Sequence, residues 1–254
     1  MNYVEYGKEN KYDDDIFFQK YSQMSRSQQG LAGAGEWETL RKLLPDFKDK
    51  RVLDLGCGYG WHCIYAMEHG ASSVVGVDIS HKMLEVAKEK THFPQVEYKC
   101  CAIEDVEFPK ESFDVILSSL AFHYVADYEI LVKKIYRILK SGGKLVFTVE
   151  HPVFTAYGTQ DWYYNEKGEI LHFPVDNYYY EGKRTAVFLG EKVTKFHRTL
   201  TTYLNTLLSN GFIINHIVEP QPPEYMMDIP GMQDEMRRPM MLIVSANKKV
   251  DRVK

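Results

Sequence analysis

The residues with the clearest chemical potential are three glycines at alternate positions, directly after a short apolar segment. Gly56, Gly58 and Gly60 follow the segment RVLDL at residues 51–55, which carries one acidic residue, Asp54. Glycine adopts positive φ readily and has no Cβ, so the backbone can turn sharply and approach a bound molecule. A helix predicted at residues 61–69 begins where the loop ends, and a helix N-terminus favours negative groups. The loop predicts a site for a small molecule with an anionic end, although a glycine-rich turn without a ligand has the same pattern.

The spacing of these glycines separates two kinds of nucleotide-binding loop. The dinucleotide pattern is G-x-G-x-x-G, and Trp61 stands where its third glycine would be. The observed pattern, D-x-G-x-G-x-G at residues 54–60, resembles motif I of the class I (Rossmann-like) S-adenosylmethionine-dependent methyltransferases, in particular their small-molecule "type 11" group. The segment LKSGGKLVFTVEHP at residues 139–152 is similar to a helix-to-strand transition of the same family. The resemblance implies that the cofactor is S-adenosyl-L-methionine.

The ends of the next predicted strands supply further candidates for cofactor binding. Asp78 ends an apolar segment 20 residues after Gly58, where a carboxylate can accept hydrogen bonds from both ribose hydroxyls or only cap a helix. Related methyltransferases often have an aspartate near the adenine after the third strand, but this chain has Ala102 there. Backbone groups of Ala102 and Ile103 would then contact adenine, with Glu104 or Asp105 in place of the missing carboxylate.

The region before the first strand is predicted to be a lid, residues 1–36, because a helix with a flexible segment commonly has this role in the resembled family. Its first 15 residues are polar and are expected to be mobile. Arg26 is expected to pair with a carboxylate of the cofactor, or to be an exposed loop residue. The full set of predicted cofactor-binding residues is Tyr21, Arg26, Asp54, Gly56, Cys57, Gly58, Gly60, Asp78, Ile79, Met83, Ala102, Ile103, Glu104, Ser119 and Leu120.

Three histidines are candidate general bases. A sulfonium donor already activates its methyl group, so the protein chiefly has to position the acceptor in line with it. A hydroxyl or protonated amine would also need a base, and an imidazole of near-neutral pKa is suitable. We take His123, His151 and His197 as the candidates. A thiol or tertiary amine would need no base, and the histidines would then only shape the pocket.

An inserted segment at residues 153–199 is predicted to be a β-rich cap over the substrate. Residues 151–200 contain 11 aromatic residues, interrupted by glycines, and short alternating stretches such as KVTKFH predict hairpins. Aromatic faces can hold a cation, and tyrosine hydroxyls can orient an acceptor. We predict substrate contacts from Tyr157, Tyr178, Tyr179 and Arg198, whereas a dimer interface or a packed minor hairpin is the alternative.

These candidates require a fold that brings several strand ends together. Apolar segments alternate with helical patterns, which predicts one α/β domain over residues 1–254 with a seven-stranded, mostly parallel sheet and helices on both faces. The last strand is predicted to be antiparallel. Strands are predicted at residues 51–55, 73–77, 96–100, 113–118, after 143, 212–218 and 239–246, and helices at 16–24, 36–44, 61–69, 81–90, 130–140 and 201–209.

Composition limits the possible partners and location. The formal net charge of −4 leaves no basic surplus, so a nucleic-acid partner is not expected. The chain has no apolar run of 18 residues and no signal-peptide pattern, which predicts a cytoplasmic protein without membrane spans. Its four cysteines have no C-x-x-C spacing and its nine histidines no metal-ligand spacing, so we expect no disulfide and no metal. A homodimer is compatible with the sequence.

The predicted function is transfer of a methyl group from S-adenosylmethionine to an oxygen or nitrogen of a small molecule, by direct in-line displacement. Three alternatives remain open at this stage. They are a regulatory protein that binds the cofactor without catalysis, a methyltransferase acting on protein or nucleic acid, and a nucleotide-dependent oxidoreductase. The N-P-P-Y motif of some macromolecule-directed enzymes is absent, because the fourth predicted strand ends in SSLAF.

Overall fold

A computed structural model describes residues 8–250 and contains one seven-stranded sheet in the order β10-β11-β5-β4-β1-β2-β3. Strand β11 is antiparallel to both of its neighbours, and the other six strands share one direction. This confirms the predicted sheet and its antiparallel last strand. The strands of the sheet are β1 (Arg51–Leu55), β2 (Ser73–Asp78), β3 (Val96–Cys100), β4 (Phe113–Ser119), β5 (Leu139–Glu150), β10 (Phe212–Val218) and β11 (Met241–Lys248).

Two further hairpins follow the fifth strand, inside the predicted cap. The first pairs β6 (Tyr163–Tyr164) with β7 (Ile170–His172), and the second pairs β8 (Gly182–Phe188) with β9 (Glu191–His197). Both hairpins are antiparallel and separate from the main sheet. The β-rich character expected of this insertion is therefore present.

Helices connect the strands and cover the two faces of the sheet. Side-chain caps begin several of them: Ser80 accepts the backbone N–H of Met83, and Asp127 accepts that of Ile130. The α-helices are α1 (Asp15–Ser22), α2 (Ser25–Gln28), α3 (Trp37–Arg41), α4 (Trp61–Glu68), α5 (His81–Lys90), α6 (Tyr128–Ile138), α7 (Pro152–Thr155), α8 (Leu200–Ser209) and α9 (Met232–Glu235). Short 3₁₀ helices lie at Lys11–Asp13, Gly30–Gly33, Phe122–Tyr124 and Glu224–Met226.

The hydrophobic core forms two layers, one on each side of the central strands. Leu53 and Leu55 of β1 lie in one layer, whereas Val52 lies in the other, as alternation along a strand requires. All three side chains are fully buried. Burying an aliphatic or aromatic side chain of this size contributes about 1.5–3 kcal/mol, so the two layers hold the central strands and the loops that follow them.

Several element boundaries differ from the prediction. Helix α6 begins at Tyr128 rather than residue 130 because Asp127 caps it, and it ends at Ile138. The segment at residues 141–143, predicted to end this helix, lies inside β5, which begins immediately at Leu139. Residues 8–15, expected to be mobile, are held to the body of the protein: Asp13 accepts hydrogen bonds from the Ser80 hydroxyl (2.6 Å) and the Lys82 N–H (3.1 Å).

None of the helices within residues 8–250 combines the length and the apolar character that crossing a membrane requires. Over the same range, no group of three or more His, Cys, Asp or Glu side chains is arranged to hold a metal ion.

Candidate active site

A cavity of about 290 Å³ lies at the carboxyl ends of the parallel strands. Ligands of open α/β sheets bind at this edge, because the loops that follow the strands meet there. A second cavity of about 80 Å³ lies beside it and shares several of its lining residues. Twelve of the predicted cofactor residues line the larger cavity, namely Tyr21, Arg26, Gly56, Gly58, Asp78, Ile79, Met83, Ala102, Ile103, Glu104, Ser119 and Leu120.

The glycine loop between β1 and α4 requires its glycines for two physical reasons. Gly56, Gly58 and Gly60 have φ values of 77°, 53° and 75°, which L-residues with a Cβ rarely adopt. A Cβ on Gly56 would overlap the side chain of Ala121, and one on Gly60 would overlap the Tyr98 hydroxyl. The loop is therefore pressed against its neighbours as well as lying beside the cavity.

The N–H groups of this loop are mostly used within the protein. Those of Gly56 and Cys57 both donate to the Val77 carbonyl, at 2.8 and 3.0 Å. That of Gly60 donates to the Cys57 carbonyl at 2.9 Å. The anionic end of a ligand must therefore be held by other donors. The first residues of α4, Trp61 and His62, line the second cavity, so the helix N-terminus lies there rather than at the larger one.

Asp78 joins the loop to the next strand. Its two carboxylate oxygens accept the backbone N–H groups of Gly58 and Ser80, both at 2.9 Å. Burial raises the pKa of the Asp78 carboxyl. Each oxygen accepts only one of these bonds, so further lone pairs are free to accept hydroxyl groups from the cavity. This geometry suits a ribose diol.

Three predicted cofactor residues do not line the larger cavity. Asp54 lies beneath the loop with 1% of its surface exposed, and within residues 8–250 its only hydrogen-bond donor is the Cys63 thiol at 3.5 Å. Burial raises the pKa of Asp54 to about 7. Cys57 lines the second cavity, and Gly60 packs against Tyr98. These residues support the loop rather than the larger cavity.

The end of the larger cavity near β3 is apolar. Met83, Ala102 and Ile103 are all buried there, which suits the flat face of an adenine. Burial also raises the pKa of Glu104, which lines the same end. Asp105 forms an ion pair with Lys8 and is absent from the lining.

The predicted lid residues Tyr21 and Arg26 line both cavities. The ring of Tyr21 packs edge-to-face against Tyr12 and Tyr59, with centroids 5.2 and 5.8 Å apart. Arg26 is not an exposed loop residue, because its guanidinium forms an ion pair of 2.6 Å with the buried Glu36. Its remaining N–H groups are free to reach a ligand carboxylate.

The three candidate bases have different surroundings, and only His123 lines the larger cavity. Burial lowers the pKa of His123 to about 4. Its Nδ1 accepts the Glu150 N–H at 3.4 Å, so the proton of the neutral ring lies on Nε2. Nδ1 of His151 caps α7, and its Nε2 lies 2.8 Å from a Glu219 carboxylate oxygen.

His197 is fully buried away from the cavity and has both ring nitrogens engaged. Its Nε2 donates to the Tyr178 carbonyl at 2.9 Å, which leaves Nδ1 to accept the Thr155 hydroxyl at 2.7 Å. A ring held in this way is suited to fixing the cap in place.

None of the four predicted substrate residues lines the larger cavity. Tyr157 and Tyr179 are 46% and 87% exposed, and Tyr178 accepts the Leu200 N–H through its hydroxyl. Arg198 is buried and donates to backbone carbonyls, among them that of Ala126 at 3.0 Å. The run of tyrosines led to a prediction of substrate contacts that the cavity lining does not match. Composition alone does not show which face of a hairpin points inward.

The residues that do line the opposite end of the larger cavity include a buried ion pair that the sequence analysis missed. Lys195 of β9 and Glu150 of β5 lie 2.5 Å apart, with side-chain exposures of 3% and 12%. Gln160 donates to Glu150 (2.6 Å) and accepts from Lys195 (2.8 Å). Tyr124 lines the same end. Two signals were present: Glu150 is an acid at a strand end, and Lys195 lies two residues after the apolar Val193, on the same face of β9.

The electrostatics of this pair keep the carboxylate ionised. Burial of Glu150 alone would raise its pKa. Interactions with His123 and the Lys195 ammonium, together with the hydrogen bonds from Lys195 and Gln160, outweigh burial and lower the pKa. One end of the larger cavity thus has the apolar slot and the Asp78 carboxylate. The other end has the polar cluster of Glu150, Lys195 and His123.

These features fit S-adenosylmethionine on chemical grounds. The apolar slot suits adenine, the free lone pairs of Asp78 suit a diol, and Arg26 suits a carboxylate. One carboxylate oxygen of the buried Glu36, beside Arg26, has no hydrogen-bond partner among the described residues. The site therefore has unused polar capacity where an amino-acid group would lie.

Known protein structures with similar sequences share this fold. The family profile described as "Methyltransferase domain" matches residues 53–147. A crystal structure from Listeria monocytogenes, described as an S-adenosylmethionine-dependent methyltransferase, is 58% identical, with a TM-score of 0.83 over 87% of this chain and 99% of that chain. One from Mesorhizobium loti, described in the same way, is 41% identical, with a TM-score of 0.79 over 86% of this chain and 100% of that chain.

Sequence relatives extend the comparison. An uncharacterised protein of Haemophilus influenzae is 34% identical over 93% of this chain and 96% of its own length. A ubiquinone biosynthesis O-methyltransferase of Coxiella burnetii is 36% identical over 112 residues, which are 43% of this chain and 47% of that enzyme. The chain thus matches about half the length of that enzyme. The similarity to the two solved structures extends over nearly their whole length, so the chain belongs to the class I S-adenosylmethionine-dependent methyltransferases and is an enzyme that uses S-adenosyl-L-methionine.

Proposed function

We propose that this enzyme methylates an oxygen or nitrogen atom of a small molecule, which binds at the polar end of the larger cavity. The observation that carries this proposal is the buried cluster of Glu150, Lys195 and His123 opposite the adenine slot. A polar group held inside a cavity can be reached by a small molecule. A folded protein or a duplex would first have to extrude a side chain or a base.

Held by Arg26, Asp78 and the adenine slot, the cofactor would supply a methyl group activated by its sulfonium for direct displacement by the acceptor atom. The chain must align the acceptor and accept its proton. Glu150 is an ionised hydrogen-bond acceptor and can take a proton from a hydroxyl or an ammonium. His123, protonated on Nε2 only, is better suited to donate a hydrogen bond than to act as the base.

The N-terminal segment and the second cap hairpin close the site together. Glu9 accepts the Thr194 N–H at 2.6 Å, and Lys20 donates to the Leu189 carbonyl at 2.9 Å. Phe17 is buried in a small cluster with Ala186 and other hairpin side chains. Because these contacts join the two segments, residues 8–36 and the β8–β9 hairpin form one lid that excludes water from the reacting groups. Side chains of both segments line the larger cavity.

Charge and similarity support the same acceptor class. The net charge of −4 leaves no overall basic surplus of the kind that favours nucleic-acid binding. The ubiquinone biosynthesis O-methyltransferase that matches part of the chain is named for a small-molecule pathway. Both arguments favour a metabolite over a macromolecule.

The proposal is tested by screening the purified enzyme for release of S-adenosylhomocysteine with a metabolite library, and in parallel with tRNA and a protein extract. We expect turnover with a metabolite alone. Glu150→Gln should then lower kcat by about 100-fold, because it removes the proton acceptor, with donor affinity within about twofold of wild type. Thermal unfolding of each variant shows whether the fold is retained.

Lys192→Met is the matched control for Lys195→Met, because Lys192 lies on the same strand but is exposed. We expect Lys195→Met to raise the KM for the acceptor and Lys192→Met to have no effect. Turnover with tRNA or protein alone would contradict the small-molecule proposal. Full activity of Glu150→Gln would remove Glu150 from the mechanism.

A further inference from the structure

Glu36 is a buried carboxylate that the fold does not explain. It immediately precedes α3 but makes no side-chain cap to that helix. Only 3% of its surface is exposed. One of its oxygens accepts from Arg26 at 2.6 Å, and the other has no partner within residues 8–250. A buried carboxylate oxygen without a hydrogen-bond donor is destabilising, so a polar partner is expected at this position.

The surroundings of Glu36 form a small chamber beside the cofactor cavity. The second cavity, of about 80 Å³, is lined by Glu36 and Arg26 together with Ser27 and Trp61. The Trp61 indole N–H is also buried without a partner among the described residues. The chamber thus combines one free acceptor with several donors.

The position of the chamber identifies which part of the cofactor reaches it. It shares Gly56 and Gly58 of the glycine loop, and Ser119 at the end of β4, with the larger cavity. The adenine slot lies beyond Asp78, near the end of β3. The end of the ligand farthest from the adenine therefore extends toward the chamber. In S-adenosylmethionine this end is an amino acid with one carboxylate and one ammonium group.

We propose that Arg26 and Glu36 form a paired receptor for this zwitterion, in which Glu36 binds the ammonium group and is a specificity-determining residue. The carboxylate lies against Arg26, the Trp61 N–H and the N-terminus of α4, all of which favour negative charge. The ammonium lies against the free oxygen of Glu36. The receptor and the zwitterion are each neutral overall, so binding introduces no net charge into the buried chamber.

The neighbouring groups leave Glu36 free for this role. His62, which lines the same chamber, has its pKa lowered to about 4 by burial and is neutral at physiological pH. Arg26 occupies only one oxygen of Glu36. The inference rests on the cofactor of the family and not on the proposed acceptor, so each can fail without the other.

The test is isothermal titration calorimetry with three ligands that do not turn over. These are S-adenosylhomocysteine, its analogue with hydrogen in place of the amino group, and 5′-methylthioadenosine, which lacks the whole amino-acid end. The measured quantity is the ratio of the two Kd values for the deaminated and the intact ligand. This ratio cancels any general effect of a substitution on the lid.

We expect the wild-type enzyme to prefer the intact ligand by at least about 10-fold, and Glu36→Gln to reduce the preference to about twofold or less. Affinity for 5′-methylthioadenosine should change by less than about threefold. Glu38→Gln is the matched control, because Glu38 is two residues away, 46% exposed and paired with Arg41 on the surface. It should retain the wild-type preference.

Glu36→Asp keeps the charge and is used if Glu36→Gln does not fold; it should retain part of the preference. The proposal is overturned if Glu36→Gln retains the wild-type preference, or if it weakens all three ligands by the same factor. Equal weakening would show that Glu36 acts only by holding Arg26 and the lid.

Discussion

Replacing Asp54 with Asn should make the enzyme more stable, and by an amount that grows with pH. Asp54 is 1% exposed and one of its oxygens has no partner among the described residues, so its charged form is poorly solvated. Burial therefore raises the pKa of Asp54 from 3.8 to about 7. Asn has nearly the same shape and carries no charge at any of these pH values.

The magnitude follows from linkage between protonation and folding. The folded state retains the Asp54 proton in a pH range where the unfolded chain has lost it, so stability falls as pH rises from about 4 to 7. With 1.36 kcal/mol per pKa unit, the penalty is about 1.7 kcal/mol at pH 5 and about 4 kcal/mol at pH 8. The advantage of Asp54→Asn over wild type should thus grow by about 2–3 kcal/mol between these pH values.

Urea unfolding at pH 5, 6.5 and 8 measures this difference, because other titrating groups are common to both proteins and cancel. Asp114→Asn is a control of opposite sign. The Asp114 carboxylate accepts from Arg51 N–H and Lys140, at 2.9 Å each, and these partners outweigh burial to lower its pKa. Both the folded and the unfolded chain have lost the Asp114 proton above about pH 5, so the destabilisation by Asp114→Asn should stay nearly constant from pH 5 to pH 8. A difference between Asp54→Asn and wild type that stays constant across pH would refute the reasoning.

Two further predictions concern the loop and its neighbour. Asp78→Ala should raise the Kd for S-adenosylhomocysteine by about 100-fold in calorimetry, because two hydrogen bonds to a charged acceptor are lost; a change under threefold would remove the proposed ribose contact. Gly60→Ala should lower the free energy of unfolding by about 2–4 kcal/mol, because the added Cβ meets the Tyr98 hydroxyl and φ is 75°. Gly168→Ala, with a φ of 78° and open space around it, measures the backbone part alone, and equal effects would exclude the Tyr98 contact.

The sheet was predictable because its signals are local. Buried parallel strands are near-continuous apolar runs, and VVGV and VILS stand out as such in the sequence. Glycine spacing then located the first loop without any knowledge of its neighbours. The boundary between α6 and β5 was harder to predict from the sequence, because Gly142 and Gly143 are typical of a helix end. Gly142 has a φ of 74°, yet both glycines lie inside the strand.

The cofactor side of the cavity was predictable for a related reason. Asp78 and Ser119 are each the last residue of a strand that the apolar pattern reveals, and parallel strands bring their carboxyl ends to one edge. The placement of such residues depends on strand direction alone. Glu36 was missed because it lies outside any strand. Its carboxylate is paired with Arg26, ten residues earlier, and no local pattern indicates this pairing.

The acceptor side depends on contacts that no local pattern encodes. Lys195 reaches Glu150 from 45 residues away, and Glu9 reaches the Thr194 N–H across 185 residues. A lysine within a strand normally indicates a solvent-exposed face, since a buried ammonium is unfavourable without a partner. Here Glu150 at the end of β5 is the partner, so Lys195 points into the cavity instead of toward solvent. Which side chains face this end of the cavity is therefore decided by how the hairpin docks. The aromatic composition led to Tyr157 and Tyr179, which lie on the exposed surface of the insertion instead.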